Sequence, residues 1–246
     1  MTLAYLSMPT APPWVHMVFE AAAYAIGYRV YARGRARQGD GIDDESRLTV
    51  ILAAAVGALI GSKVLHHASH PALLKGRGLD PAFWMGGKTI VGALIGGWLA
   101  VEWVKRRIGV TRATGDLFVL PLIVAMAVGR IGCLVTGLAD DTVGVPSALP
   151  WAIDFGDGAR HPTAAYEIVF LVGLGWLLRR PVPGWPEGRR FRAFLLGYLA
   201  FRLAVDFLKP YEILGGLRGI QWACAVVLGY HGLRALRPKP QGESIG

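Results

Sequence analysis

Apolar residues gather into seven runs along the chain, separated by links rich in Gly, Pro, Arg and acidic residues. The runs are roughly Trp14–Ala32, Leu48–Leu65, Met85–Val104, Leu117–Val135, Thr163–Leu178, Phe191–Leu208 and Ile220–Leu236. Their lengths approach the roughly 20 residues that a helix needs to cross a bilayer. The pattern therefore predicts an all-α integral membrane protein with about seven transmembrane helices. One domain covers residues 1–246, with 238–246 a disordered tail. Gly34–Arg47 reads as a solvated link and Pro181–Arg190 as a Pro/Gly turn. The hexapeptide VGALIG occurs twice, at Val56–Gly61 and Val91–Gly96, and offers small residues for close helix packing.

Composition sharpens this picture. The chain is 53% hydrophobic and 17% charged, whereas a soluble domain carries about 25% charged residues and disperses them. A net charge of +9 would suit nucleic acid, but the basic residues sit at the ends of apolar runs. There they orient helices and do not form one binding face, which excludes a nucleic-acid partner. Of the 26 basic residues, 17 fall after runs one, three and five and in the C-terminal tail, against 7 on the other side. The positive-inside rule then places the N-terminus outside and the C-terminus in the cytoplasm, as an odd number of spans requires. The N-terminal segment has no basic region or small-residue cleavage site, so no secretory signal peptide is read there. Cys133 and Cys224 lie inside apolar runs, which leaves no disulfide framework and no metal-ligand spacing.

In this orientation the polar loop between runs four and five, Gly137–Pro162, lies on the outer side. Arg130 sits in the last third of run four, where a charge costs about 2.5–3.5 kcal/mol and needs a cavity or a partner. Arg202, Asp206 and Lys209 follow i, i+4, i+7 spacing and share one helix face. Arg130 and Arg202 suit an anion clamp, because a guanidinium stays charged and holds a phosphate with two nitrogens. The anion available at that depth is a phospholipid headgroup. The alternative is two inert pairs, Arg130 with Glu167 and Arg202 with Asp206.

His161 and Glu167 are candidate acid–base groups; otherwise His161 caps run five and Glu167 balances an arginine. His66, His67 and His70 cluster at one run's outer end, where an interfacial patch is favoured over a metal site for want of a fourth ligand. Asp140 and Asp141 are candidate functional carboxylates or plain loop residues, and Asp157-Gly158 is a turn pair. Cys133 reads as packing, and Glu102 as a partner for Lys105 or Arg106.

GRIG at 129–132, LPWAIDF at 149–155 and RHPTAAYE at 160–167, in this order, resemble the prolipoprotein diacylglyceryl transferase family. The similarity extends to GGKTIVGALIGG at 86–97 and GYLAFRLAVDFLKP at 197–210, so it covers about residues 50 to 230. The resemblance implies seven spans, a bacterial inner-membrane location and an active site facing the outer leaflet. It implies transfer of a diacylglyceryl group from phosphatidylglycerol to a lipobox cysteine of a lipoprotein precursor, with release of glycerol phosphate and no cofactor or metal. Arg130 and Arg202 match the family's two phosphate-binding arginines, and Tyr198, Arg160, His161, Tyr166 and Glu167 match further family positions. Asp206 and Lys209 stand where the family has glutamate and arginine. Val91 replaces the family's histidine and Cys133 its asparagine, so either another group accepts the proton (His161, Glu167 or an outer-loop aspartate such as Asp140), or the acceptor differs, or the protein is not a transferase. Two other functional classes compete with this reading. One is a non-catalytic lipid-binding or accessory protein that keeps the clamp. The other is a transporter, against which the sequence shows no inverted half-repeat.

Overall fold

The structure, a computed structural model, describes residues 5–8, 10–71, 84, 86–140, 142–180, 182–210 and 212–236. Seven full α-helices lie within them: α1 (Pro13–Gln38), α2 (Asp44–Ala68), α3 (Ile90–Arg107), α4 (Val119–Thr136), α5 (Thr163–Leu178), α6 (Arg189–Val205) and α7 (Gly219–Leu236). Short 3-10 turns precede α4 (Asp116–Phe118) and follow α4 (Gly137–Asp140) and α6 (Asp206–Leu208).

The helix ends follow local chemistry. Asp43 caps α2 by accepting the Ser46 N–H at 2.8 Å, with Asp44 and Glu45 in the positive first turn. Thr89 caps α3 through the Gly92 N–H at 3.1 Å, so that helix begins at Ile90 and not at Met85 as the apolar run suggested. Asp116 caps α6 from outside it, accepting the N–H groups of Gly188 and Phe191 at 2.8 Å each. The Gly34–Arg47 link is shorter than expected. Helix α1 continues through Gln38 and α2 starts at Asp44, and Asp40 between them accepts hydrogen bonds from both Arg35 and Arg47. Lys105 pairs with Glu102 at 3.1 Å, as their spacing implied.

Two small β elements depart from a purely helical fold. Strand β1 (Leu6–Ser7) pairs in parallel with β2 (Ile153–Asp154), which pairs antiparallel with β3 (Ala159–Arg160). Strands β4 (Ile213–Leu214) and β5 (Leu217–Arg218) form a hairpin whose turn, Gly215-Gly216, has φ of 60° and 88°. Positive φ at both turn residues is what a two-residue hairpin needs and what glycine permits. The outer loop expected between runs four and five is thus anchored by the N-terminal strand.

The apolar core joins α3, α4, α5, α6 and α7, with Val91, Val119, Leu171, Phe194, Tyr198 and Leu199 buried in it. The two VGALIG copies face one another across α2 and α3. A Cβ on Gly61 would strike the Gly92 carbonyl oxygen, and one on Gly96 the Gly57 carbonyl oxygen, so only glycine allows this approach. The outward faces are apolar too: Leu52, Val56, Leu59, Ile60 and Val64 on α2, and Val169, Val172, Trp176 and Leu177 on α5, are exposed. Such continuous faces suit lipid and not water. Helix α2 and the stretch Asp116–Ala139 are each long and apolar enough to cross a membrane, and α5 is apolar but shorter. Arg107, Arg179, Arg189 and Arg234 lie over the rings of Trp103, Trp176, Trp185 and Tyr230 at 5.1–5.5 Å, a pairing of the kind found at membrane interfaces.

Candidate functional site

Six of the ten expected site residues converge between α4, α5 and α6. Gly132 in GRIG lies where a Cβ would come within 2.7 Å of the Phe19 Cβ, so α1 packs close against this turn of α4. Arg130, on the same turn and 6% exposed, places its Nε 2.9 Å from Glu167 Oε1 of α5. The pair is ionic; that N–H does not point at the oxygen, so it adds no directed hydrogen bond. Arg130 Nη1 also lies 3.4 Å from the Cys133 sulfur. Tyr198 of α6 donates its hydroxyl hydrogen to the same Glu167 Oε1 at 2.6 Å. Arg202, one turn further, donates from Nη1 to the Tyr198 oxygen at 3.3 Å and from Nη2 to both Asp206 oxygens at 2.9 and 3.1 Å. Lys209 Nζ closes the row 3.8 Å from Asp206 Oδ1.

All six side chains are buried. The row places Arg130, Arg202 and Lys209 against Glu167 and Asp206, with Tyr198 as the bridge. Each arginine has its carboxylate, as two inert pairs would require. The pairs are nevertheless joined through Tyr198, which brings both guanidiniums to one Glu167–Tyr198 unit. A buried ion pair tolerates the loss of a partner poorly.

Arg160, His161 and Tyr166 form a second group, on and just after the loop between α4 and α5. Arg160 grips Asp157 with two nitrogens, at 2.8 and 2.5 Å, and donates from Nη1 to the Gly144 carbonyl at 3.2 Å. The hydrogen bond from Arg160 holds the Asp157 carboxyl below its ordinary value, and the same bond raises Arg160. Asp154 Oδ1 accepts the N–H groups of Gly156 and Gly158 and shapes the turn between β2 and β3. The His161 Nδ1 lies 3.2 Å from the Tyr166 hydroxyl, which accepts the Trp151 indole N–H at 2.9 Å. His161 therefore does not cap α5, which begins after Pro162 without a side-chain cap. Beside these residues runs an open apolar groove of about 510 Å³, lined by Trp151, Ile153, Pro162, Ala165, Tyr166, Val169 and Phe170. Pro162 also lines a small void with Cys133 and Thr163.

The strap Gly144–Val145 joins the two groups. Gly144 N–H donates to the His161 carbonyl at 2.9 Å, and Val145 N–H to the Leu208 carbonyl at 2.7 Å. A Cβ on Gly144 would lie 2.6 Å from His161 Cβ and 2.9 Å from the Leu208 oxygen. Sequence reasoning overlooked this glycine, and also Trp151 and Gln221. Gln221, fully buried, accepts from Arg218 N–H and donates to the Leu203 carbonyl, tying α7 to α6. A loop glycine and a helix-start glutamine carry no periodic signal that would mark them. The Asp140 backbone lies in the 3-10 turn after α4, but its side chain, Asp141 and the 238–246 tail fall outside the described residues. The His66, His67 and His70 rings pack on one another, and His67 on Trp84. Val91 is fully buried in the apolar core.

A helical bundle with lipid-compatible outer faces and a buried row of paired charges among α4, α5 and α6 has the character of a helical membrane protein with a charged centre. The comparisons make this specific. A family model described as prolipoprotein diacylglyceryl transferase matches residues 14–233. The chain is 33% identical to a phosphatidylglycerol–prolipoprotein diacylglyceryl transferase of Bordetella avium, over 86% of this chain and 83% of that protein. It is 32% identical to the protein of the same name from Methylococcus capsulatus, over 70% and 68%, and 31% identical to that of Bordetella bronchiseptica, over 94% and 93%. The chain belongs to the prolipoprotein diacylglyceryl transferase family, a family of transferases.

Proposed function

We propose that this transferase moves the diacylglyceryl group of phosphatidylglycerol to the sulfur of a prolipoprotein cysteine at the outer leaflet of a bacterial inner membrane. The chain is one seven-span domain with its N-terminus outside and its C-terminus in the cytoplasm, the arrangement that the charge bias favours. The observation that carries the reading is the joining of Arg130 and Arg202 through Glu167 and Tyr198. The two carboxylates face the guanidiniums where a phosphate would bind. A donor headgroup exchanges with them and is held by two guanidiniums while negative charge develops on the leaving glycerol phosphate. Arg160, Tyr166, Tyr198, Asp206 and Lys209 complete the donor side, with Tyr166 on the wall of the apolar groove that receives an acyl chain. His161, Glu167 and Asp140 are the acid–base groups of the sequence reading.

The test is reconstitution with labelled phosphatidylglycerol and a lipobox peptide. Label should move to the cysteine, and Arg130→Ala should abolish it. No transfer, with Arg130→Ala retaining lipid as wild type does, removes the reading.

A second reading rests on Val91, which offers no proton acceptor and lies in the core. A lipid-binding accessory protein of the same fold would keep phosphatidylglycerol through purification without turnover, and would release it in Arg202→Ala.

A further inference from the structure

Each cation of the buried row has a carboxylate beside it. Arg218, the last residue of β5, does not. It is 9% exposed, its Nε is sealed from solvent, and its guanidinium forms no hydrogen bond or ion pair with the described residues. A charge taken out of water without a counter-charge is costly, and N–H donors without an acceptor add to the cost. Its backbone is nevertheless fixed. Arg218 pairs with Ile213 in the hairpin, its N–H donates to Gln221 Oε1 at 2.9 Å, and the Trp222 indole N–H donates to the Leu214 carbonyl at 2.7 Å. Helix α7 follows directly, with Gly219 so close to the end of α2 that an added Cβ would lie 2.6 Å from Ser69 Oγ.

The start of α7 is a capping box with one half missing. In a complete box the residue before the helix accepts the N–H of the second or third helical residue through its side chain. A glutamate or glutamine at the third position holds that residue's own N–H in return. Gln221 makes the second of these bonds. Arg218 stands where serine, threonine or aspartate would make the first, and a guanidinium has no acceptor to offer. The N–H groups of Ile220 and Gln221, both buried residues, find no side-chain acceptor among the described residues. Guanidinium and helix start thus lack the same thing at adjacent residues, an anionic oxygen, and the helix dipole adds to the attraction. Ile213 and Trp222 beside them are 63% and 45% exposed, an apolar flank of the kind met at a bilayer surface.

We propose that Arg218 and the first turn of α7 bind a phosphate group, whose oxygens satisfy the guanidinium on one side and the N–H groups of Ile220 and Gln221 on the other. The site uses none of the residues of the buried row. It is joined to that row through Gln221, whose Nε2 donates at 2.8 Å to the carbonyl of Leu203, the neighbour of Arg202. A lipid headgroup and a free ester such as glycerol phosphate present the same chemistry to it, and neither depends on transfer taking place.

The test follows amide hydrogen exchange at Ile220 and Gln221 in the full chain, held in phosphatidylcholine nanodiscs. Phosphatidylglycerol is then added to the bilayer in one arm and glycerol phosphate to the buffer in the other. At least one addition should slow exchange at these two amides by about fivefold or more, and Arg218→Gln should abolish the slowing. Slowing by phosphatidylglycerol alone assigns the site to a headgroup, and slowing by glycerol phosphate as well assigns it to a free ester. No slowing in either arm, or the same slowing in Arg218→Gln, overturns the proposal. Should Arg218→Gln fail to fold, Arg218→Lys decides, because it keeps the charge and loses the fork. Half-maximal slowing should then need about tenfold more ligand, and an unchanged requirement rejects the assignment. The readout is local to α7, so transfer of label to a lipobox peptide without slowing here sinks this proposal alone. Slowing without transfer leaves it standing and removes only the transferase reading.

Discussion

Arg160 and Arg202 each grip an aspartate three or four residues away with two nitrogens, one on a water-facing loop and the other between helices. The bonds are nearly alike, but the settings are not. Arg160 and Asp157 lie side by side on the loop between α4 and α5, and solvent reaches both. Arg202 and Asp206 are 2% and 0% exposed and continue into Tyr198, Glu167 and Arg130 on neighbouring helices. A solvent-open pair adds little to stability, whereas a sealed one cannot lose a partner without stranding a charge. The first ties a loop together, and the second holds three helices to one another.

Three experiments would break or sharpen that contrast. The largest effect belongs to Glu167→Ala, which strands Arg130 and leaves the Tyr198 hydroxyl without its acceptor. It should destabilise the protein by about 3–5 kcal/mol, read as a lowered midpoint in detergent unfolding, and a midpoint equal to wild type would place the pair in the same class as Asp157–Arg160. Next come two matched substitutions. Arg202→Lys loses the two-nitrogen grip and should lower transfer about 10²-fold, while Arg160→Lys, at the solvent-open edge of the proposed donor side, should lower it by no more than about tenfold. Equal losses would merge the two groups into one site. The smallest effect concerns pH. The Asp157 carboxyl is depressed by Arg160 from its ordinary 3.8. Its contribution to loop order is therefore full above that ordinary value and lost as pH falls through the lower native one. Amide exchange at Gly156 and Gly158, corrected for intrinsic rates, should quicken only at that acid end, and not in Asp157→Asn.

The buried row was legible because charge inside an apolar run has few explanations. Arg130, Glu167, Arg202 and Asp206 stood out for that reason, and each is paired and buried. The loop group was harder to place. Arg160 and His161 adjoin Tyr166 and Glu167 in sequence, yet α5 turns Glu167 inward and leaves Tyr166 on the groove. Their setting depends on β1 pairing with β2 across nearly 150 residues, and two-residue strands leave no alternation to read. The helix ends missed at Gln38 and Ile90 have local causes. Arg and Ala are good helix formers, so α1 runs past its apolar stretch, and the Thr89 cap starts α3 late.

The glycine contact between α2 and α3 has a mechanical consequence. With the Gly61 and Gly92 backbones touching and the Gly57 and Gly96 backbones doing the same, these helices form one stiff rib with no slack for sliding. Under the proposed function a two-tailed lipid needs a door, and the rib cannot be its hinge. Compliance belongs on the opposite flank, where α5 and α6 meet through side chains, with Phe170 stacked on Phe201 at 4.3 Å and Tyr198 reaching Glu167. Rotamers can swing there while the frame behind them holds its shape.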